Sequence, residues 1–562
     1  MTNVTTHLPR GGADLLPLEQ LEMQKLSKLR LVRFKVFLGT ALFIVSLFVF
    51  KSLITGQSRP SEHRSNEESS LKAETHTQTV ATKSPESLAQ LVNSAIDNSK
   101  LASARWGISV ISLTSEREVY ARNASSLFIP ASNMKLFTTG VALDLLGADY
   151  RWRTSVYASG QPDTTGSING DLVLYGRGAP DLISQSTKDE TGSLVQLVDD
   201  LYNRGLRHVK GNVIGDESYF RGEKLGDGWP WTDLQWYFGA EASALSINSN
   251  EIGVSVLPPN KSGEPPLVSV QPADDYFAIQ NNMSMVTRGE RLTIGLNRDL
   301  SDNKIHVWGT FPAGSKGYGA RLSVHNPALW AARLFHAALK ARGITVDGTA
   351  VARDSRVPPD QRFDPSTSVE LTSISSRPLS EIVRATNKAS INLNAELILR
   401  TLGRERGNML SQPETSGRER GDDEAGLALI RLWMSRAGIS TEALAFHDGS
   451  GLSRLNLVSP QSLSRLLVAL SKTGSAPVFR ESLPIAGRDG TLGGRLGKLT
   501  DQVQAKTGSL TYDTSLSGFL TTSDGEILAF SIMCNDHTNT GNATPIIDQI
   551  VTLLASREPP KP

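Results

Sequence analysis

The sequence predicts an α+β fold in which a helix and strands from both ends of the folded chain close one sheet around a large β-rich insertion. Three observations support this. A helix-then-strands pattern begins near residue 84, a hairpin-then-helix pattern closes the chain, and the texture between 157 and 365 is different from both. The closure of the two ends into one sheet is an inference, because hydrophobic periodicity does not report strand pairing.

The 562 residues allow about three or four domains. Hydrophobic residues make up 39% and charged residues 20%, enough for real cores. The net charge of +1 gives no reason to expect nucleic acid or another strongly charged partner. Cys534 is the only cysteine, so no intrachain disulfide exists. This fits the cytoplasm and a bridge-free periplasmic protein equally.

Val36 to Phe50 is an uncharged run of 15 residues, extended to Ile54 if Lys51 snorkels. Lys25, Lys28, Arg30, Arg33 and Lys35 precede it, and few basic residues follow closely. Residues 1–35 therefore read as a basic cytoplasmic segment and 36–54 as a transmembrane signal-anchor, with a long signal peptide as the alternative. The lack of a small-x-small site after Phe50 favours the anchor. Residues 55–83, polar and poor in apolar side chains from Gly56 to Lys83, read as a disordered tether.

Folded structure is expected from Ser84-Pro85, an N-cap with proline at the first helical position. Leu88, Leu91, Val92, Ala95 and Ile96 share a helical face. Trp106 to Leu113 and Glu118 to Ala121 are strand-like. At the other end, Leu516 to Thr521 and Ile527 to Met533 flank the turn pair Asp524-Gly525, and Thr544-Pro545 opens a last helix. Residues 84–156 and 366–562 are thus the two halves of one domain, and 157–365 is inserted between them. The insertion carries short strand-like runs: GDLVLYGRG, RHVKGNVIGDESYF, RLTIGLNRD and KIHVWGTF. Leu379 to Gly403 and Ala425 to Thr473 read as helical, and no internal repeat is visible.

Three short motifs carry chemistry. Ser132-x-x-Lys135 follows Pro130-Ala131 and opens an apolar helix ending at Gly147. A serine and lysine three apart share a helical face, and the helix N-terminus favours developing negative charge. The bland alternative is that Ser132 is an ordinary N-cap. Ser390-x-Asn392 joins the helical runs LSEIVRATNK and LNAELILRTLG, where both side chains can face one cleft. Lys506-Thr507-Gly508 lies in the strand-like VQAKTGSLTY, whose backbone N–H groups can line a wall.

The same chain holds decoys. Ser69-x-x-Lys72 sits in the polar tether. Ser301-Asp302-Asn303 suits a turn between strands, and Ser246-Ile247-Asn248 is a further match to the second motif. Lys472-Thr473-Gly474 reads as the C-terminal end of a helix. Context therefore selects Ser132, Lys135, Ser390, Asn392, Lys506 and Thr507. Asp448-Gly449-Ser450-Gly451 lacks a G-x-S-x-G elbow and suits a tight loop between core elements. Trp229, Trp231 and Trp236 are expected to pack the insertion rather than bind sugar rings.

Together with the longer strings GDLVLYGRGAPDL, GDGWPWTDLQWYFGAEASALSINSNEI, DGSGLSRLNLVSP and LPIAGRDGTLGGRL, these motifs make the chain resemble the class C low-molecular-mass penicillin-binding proteins. That family comprises serine-type D-Ala-D-Ala carboxypeptidases and endopeptidases (peptidase family S13). The resemblance covers nearly everything after the tether. It implies the serine β-lactamase/penicillin-binding-protein transpeptidase-like fold with a large insertion between the first and second motifs.

The resemblance also implies roles. Ser132 would attack the carbonyl of the penultimate D-alanine, and Lys135 would take its proton, its pKa depressed by burial and by Lys506. Ser390 would relay a proton to the leaving amine. Asn392 would hold the substrate amide, and Lys506 with Thr507 its carboxylate. The backbone N–H groups of Ser132 and Ser509 would form the oxyanion hole. Peptidoglycan stem peptides would be substrates and β-lactams covalent inhibitors, at an extracytoplasmic site on the inner membrane, with no cofactor or metal. The rival readings are a β-lactamase and a non-catalytic wall-binding scaffold.

Overall fold

The computed structural model describes residues 87–186, 191–261, 263–358, 362–410, 421–538 and 542–556. All fall within one compact unit, Pro85–Pro562. The basic segment, the anchor, the tether with its Ser69-x-x-Lys72 decoy, and the expected cap at Ser84-Pro85 lie outside the described residues. The first described helix, α1 (Leu88–Asp97), is capped instead by Ser87, whose side chain bonds the N–H of Gln90 in a capping box.

Two strands follow, β1 (Arg105–Ser112) and β2 (Glu118–Arg122). A single 3₁₀ turn, Ala131–Asn133, then leads into α2 (Met134–Leu146). Every residue of α2 from Met134 to Leu143 is buried, so this helix runs through the core rather than over it.

The inserted stretch begins with β3 (Arg153–Ala158), β4 (Ser167–Ile168) and β5 (Leu172–Tyr175). Next come α3 (Ser193–Asn203), β6 (His208–Val209) and β7 (Val213–Asp216). Six strands follow: β8 (Glu251–Leu257), β9 (Leu267–Gln271), β10 (Ala278–Val286), β11 (Thr293–Arg298), β12 (Lys304–Pro312) and β13 (Tyr318–Ser323). It closes with α4 (Pro327–Arg342), β14 (Thr345–Val346), β15 (Ala350–Arg353) and β16 (Val369–Ser375). Four sheets result, the largest ordered β15-β7-β5-β3-β16. The two helices are an addition to the β-rich expectation. The signal for α4 was present: Asn326 as N-cap, Pro327 at the first position and Gly343 just past the end. Its Trp330, Phe335 and Leu339 are buried in the insertion's own core.

The chain then returns as helices α5 (Leu379–Ala389), α6 (Asn392–Arg406), α7 (Asp422–Arg436), α8 (Pro460–Leu470) and α9 (Ala476–Ser482). The helical signal read over Ala425–Thr473 is two helices, α7 and α8, with an irregular loop between them that carries Asp448 to Gly451. The chain ends with β17 (Val503–Leu510), β18 (Asp513–Thr521), β19 (Ile527–Asn535) and α10 (Thr544–Ser556).

The two ends do close one sheet. Its order is β17-β18-β19-β1-β2, antiparallel throughout, with Ile108 opposite Ile532 and Val110 opposite Phe530. One face packs on α1 and α10 and the other on the helical core around α2 and α8. The turn at Asp524-Gly525 joins β18 to β19, with Gly525 at φ +85°.

Ile550 of α10 is fully buried against this sheet. Ile550→Ala is expected to destabilise the protein by about 2–5 kcal/mol. A thermal melt checks this, and an unchanged midpoint would contradict the packing described.

Candidate active site

Ser132 stands in the 3₁₀ turn before α2, not at a simple N-cap: its side chain bonds no backbone N–H of the helix. The preceding Ala131 has φ +48°, in the left-handed region that costs a residue with a Cβ about 1–2 kcal/mol. Two close approaches hold the turn there. A Cβ on Gly451 would lie 1.8 Å from the Ala131 carbonyl oxygen. A Cβ on Gly508 would lie 2.8 Å from the Pro130 oxygen and 2.2 Å from Ser515 Oγ. The third motif thus needs glycine because the strand and the turn carrying Ser132 meet there. Ser515 completes the clamp by donating to the Pro130 carbonyl at 2.8 Å and accepting from Asn133 Nδ2 at 2.6 Å.

Lys135 is fully buried. Its Nζ is 3.0 Å from Ser132 Oγ, 2.6 Å from Asn392 Oδ1 and 2.8 Å from the Ser450 carbonyl oxygen. The last two partners are acceptors only in this orientation. In a neutral amine they take both N–H groups and leave the lone pair for the Ser132 hydroxyl. The orientation of Asn392 is set from the insertion, since its Nδ2 donates to the Phe238 carbonyl at 2.9 Å.

Burial lowers the Lys135 pKa to about 7, against the attraction of Asp448 and Glu396. The lysine–lysine repulsion expected to act on Lys135 falls on Lys506, held well below its ordinary value by burial and then by Lys135. Lys506 Nζ donates to Ser390 Oγ at 2.8 Å and to the Thr507 carbonyl at 2.8 Å. Ser390 is the C-cap of α5, in the left-handed conformation at φ +59°, and Asn392 is the first residue of α6. One sharp corner therefore turns both side chains toward the lysines.

β17 is an edge strand, and Pro484–Ala486 covers only its first half: Ala505 N–H donates to the Pro484 oxygen and Ala486 N–H to the Val503 oxygen. Alternation along the strand then points the N–H groups of Thr507 and Ser509 toward the uncovered half of the edge. Ser509 is exposed there.

The structure thus brings together two bonded groups, Ser132–Lys135–Asn392 and Ser390–Lys506, close enough for the two lysines to repel, with Thr507 and Ser509 on the rim. The decoys go elsewhere. Ser301 to Asn303 form a turn between β11 and β12, where Asp302 accepts the Lys304 N–H. Ser246 donates to the Ser243 carbonyl. Lys472 pairs with exposed Glu116.

Two contributors escaped the sequence reading. The Asp448–Gly451 loop, read as bland, supplies the Ser450 carbonyl that holds Lys135. Glu396 anchors that loop, accepting the N–H groups of Gly449 at 2.9 Å and Ser450 at 2.8 Å and pairing with buried Arg400 at 2.9 Å. The signal was a polar stripe, Asn392, Glu396 and Arg400, on an otherwise apolar helix face. Of the three tryptophans expected to pack the insertion, Trp236 lies against its core, Trp231 is 72% exposed, and Trp229 Nε1 donates to Asp448 at 2.9 Å.

Known proteins resemble this chain over most of its length. The model of the D-Ala-D-Ala carboxypeptidase 3 (S13) family matches residues 88–557. A D-alanyl-D-alanine carboxypeptidase of Actinomadura sp. is 33% identical over 79% of this chain and 80% of its own length. The D-alanyl-D-alanine carboxypeptidase DacB of Haemophilus influenzae is 27% identical over 74% of this chain and 82% of its own. The crystal structure of penicillin binding protein 4 from H. influenzae has a similar fold. Its TM-score is 0.69 at 24% identity, covering 82% of this chain and 98% of that one.

Two outcomes follow from the geometry. Acylation of Ser132 by a penicillin should rise with pH through about 7 and then level, because Lys135 accepts a proton only when neutral. A flat stopped-flow profile across that range would contradict it. Gly508→Ala should slow acylation by on the order of a hundredfold, since even a displacement of about 1 Å misaligns reacting atoms. A wild-type rate in that variant would show that the strand and turn do not need their close approach.

Proposed function

Because the chain belongs to the D-Ala-D-Ala carboxypeptidase 3 (S13) family, a family of serine-type peptidases, we propose that Ser132 is its nucleophile and Lys135 its general base. The observation that carries this is the Lys135 amine, with acceptors on two sides and the Ser132 hydroxyl on the third. The substrate class is the D-Ala-D-Ala end of peptidoglycan stem peptides, and β-lactams acylate the same serine.

The reaction runs in two halves. Lys135 takes the hydroxyl proton as Ser132 Oγ bonds to the carbonyl carbon of the penultimate D-alanine. The oxyanion accepts hydrogen bonds from the N–H groups of Ser132 and Ser509, each worth about 3–4 kcal/mol in the transition state. Ser390 passes a proton to the departing amine, and terminal D-alanine leaves. Water then cleaves the acyl-enzyme. Asn392 aligns Lys135 in the free enzyme and faces the substrate amide across the cleft.

Lys506 and Thr507 receive the terminal carboxylate. Burial and Lys135 both disfavour the Lys506 cation before substrate arrives. A bound carboxylate restores that charge, and the restored cation disfavours protonation of Lys135. Substrate binding thereby favours the neutral base.

The boundaries at 157 and 365 cut off β3 and β16, which pair in the insertion's largest sheet, so 153–375 reads as the insertion and the residues on either side of it as the catalytic domain. The apolar run 36–54 supports anchoring at the outer face of the cytoplasmic membrane, with 55–83 as tether. A peptidase uses slow deacylation with penicillin, whereas a β-lactamase releases it rapidly.

The test is labelling by fluorescent penicillin, with Ser132→Ala as control, followed by digestion of cross-linked and uncross-linked muropeptides. We expect persistent labelling lost in the variant, and release of D-alanine. Unchanged labelling of the variant would sink the nucleophile assignment. Rapid turnover of penicillin would favour the β-lactamase, and an unlabelled wild type the scaffold.

A further inference from the structure

The string LPIAGRDGTLGGRL forms a loop whose contacts the catalytic roles above leave unused. Its Asp489 is gripped by Lys388, whose Nζ donates to both carboxylate oxygens at 2.6 and 2.7 Å. The same carboxylate accepts the Ile485 N–H at 2.8 Å, so the loop is tied to itself and to α5 together. Lys388 lies two residues before Ser390. Gly490 follows, at φ +56°, and a Cβ there would lie 2.7 Å from the Lys388 carbonyl oxygen. Only glycine permits this approach. Leu492 buries the far end of the turn.

This anchoring delivers one side chain to the rim of the site. Thr491 is exposed, and its Oγ1 accepts a hydrogen bond from Thr507 Oγ1 at 2.7 Å. A hydroxyl has one proton to give. Thr507 gives its proton to Thr491, so the free proton of the pair belongs to Thr491. Among the described residues no acceptor bonds that proton. Lys506 Nζ bonds both Ser390 Oγ and the carbonyl of Thr507, each at 2.8 Å, so one member of the pair sits on a residue bonded to that amine. With Lys506, an amine whose charge a bound carboxylate restores, the pair offers two hydroxyls and an unclaimed donor, which matches a carboxylate with its two oxygens and about four acceptor positions.

We propose that Thr491 is a substrate-binding residue, a second hydroxyl donor to the terminal carboxylate beside Thr507. This rests on the reading of Lys506 and Thr507 as the carboxylate site. On binding, Thr507 turns its proton from Thr491 to one carboxylate oxygen, and Thr491 donates to the other. The Lys388–Asp489 pair links the loop carrying Thr491 to the helix carrying Ser390, so the two walls of the carboxylate pocket keep a fixed spacing.

The experiment compares full-length wild type with Thr491→Val and Thr491→Ser. The probes are an acyl-L-Lys-D-Ala-D-Ala peptide and the same peptide with a C-terminal amide. Thr491→Val should lower kcat/KM about tenfold on the free acid, the loss of one hydrogen bond to a charged group. It should cost the amide peptide clearly less, because the amide puts one acceptor oxygen where the carboxylate puts two, and Thr491→Ser should restore most of the loss on the free acid. Equal losses on both peptides, or a wild-type kcat/KM in Thr491→Val, would overturn the inference alone. A wild type inactive on the acid peptide and unlabelled by penicillin would overturn the proposed function and this inference with it.

Discussion

A lysine amine taken out of water must be neutralised or surrounded by acceptors, and that constraint organises this structure around Lys135. The side chain is fully buried on a helix that is itself buried from Met134 to Leu143. Its partners come from three separate segments: the turn carrying Ser132, the start of α6 and the loop between α7 and α8. Remove the acceptor on α6 or on the loop and a buried N–H loses its partner, at about 1–3 kcal/mol. The same burial that makes the charged amine costly lowers its pKa to about 7, so that near neutral pH a share of it is uncharged and can accept a proton.

The acceptors are in turn held by groups that never reach the cleft. Glu396, one helical turn beyond Asn392, fixes the peptide of Ser450, and Arg400 one turn further offsets its charge. Burial and Asp448 raise the Glu396 pKa to about 7, with Arg400 and the Ser450 bond pulling it down. Lys135, Glu396 and Asp448 thus form one coupled electrostatic unit. The insertion reaches the same unit through the Phe238 carbonyl, which fixes the amide orientation of Asn392, and through Trp229, which bonds Asp448. An insertion that looks peripheral in the chain is part of how the Lys135 amine is aimed.

Glycines set the distances. Gly451 and Gly508 admit the nucleophile turn from two sides, and Gly490 admits the Thr491 loop against α5. Each places backbone where a Cβ would collide, and each lies within a residue or two of a group that bonds Lys135, Thr507 or the substrate site. The strain at Ala131 persists because these contacts over-determine the turn.

Much of this was legible in the sequence. The helix and strands at both ends, the β-rich texture between them and the three motifs come from local patterns, because periodicity, turn residues and helix starts are properties of neighbouring residues. Local context also rejected the decoys, since Lys472 ends a helix and Ser301 to Asn303 span a turn. The helix α4 was missed although its caps were visible, because the strand-like runs around it dominated the reading. Only the tertiary structure could decide what depends on distant segments meeting: that β1 pairs with β19, that Ser450 rather than a charged side chain completes the Lys135 pocket, and that Thr491 lies beside Thr507. The sequence by itself singled out the three motifs that the fold brings together. Packing decided their protonation and aim, because a pKa is set by burial and by charges that the chain order does not place side by side.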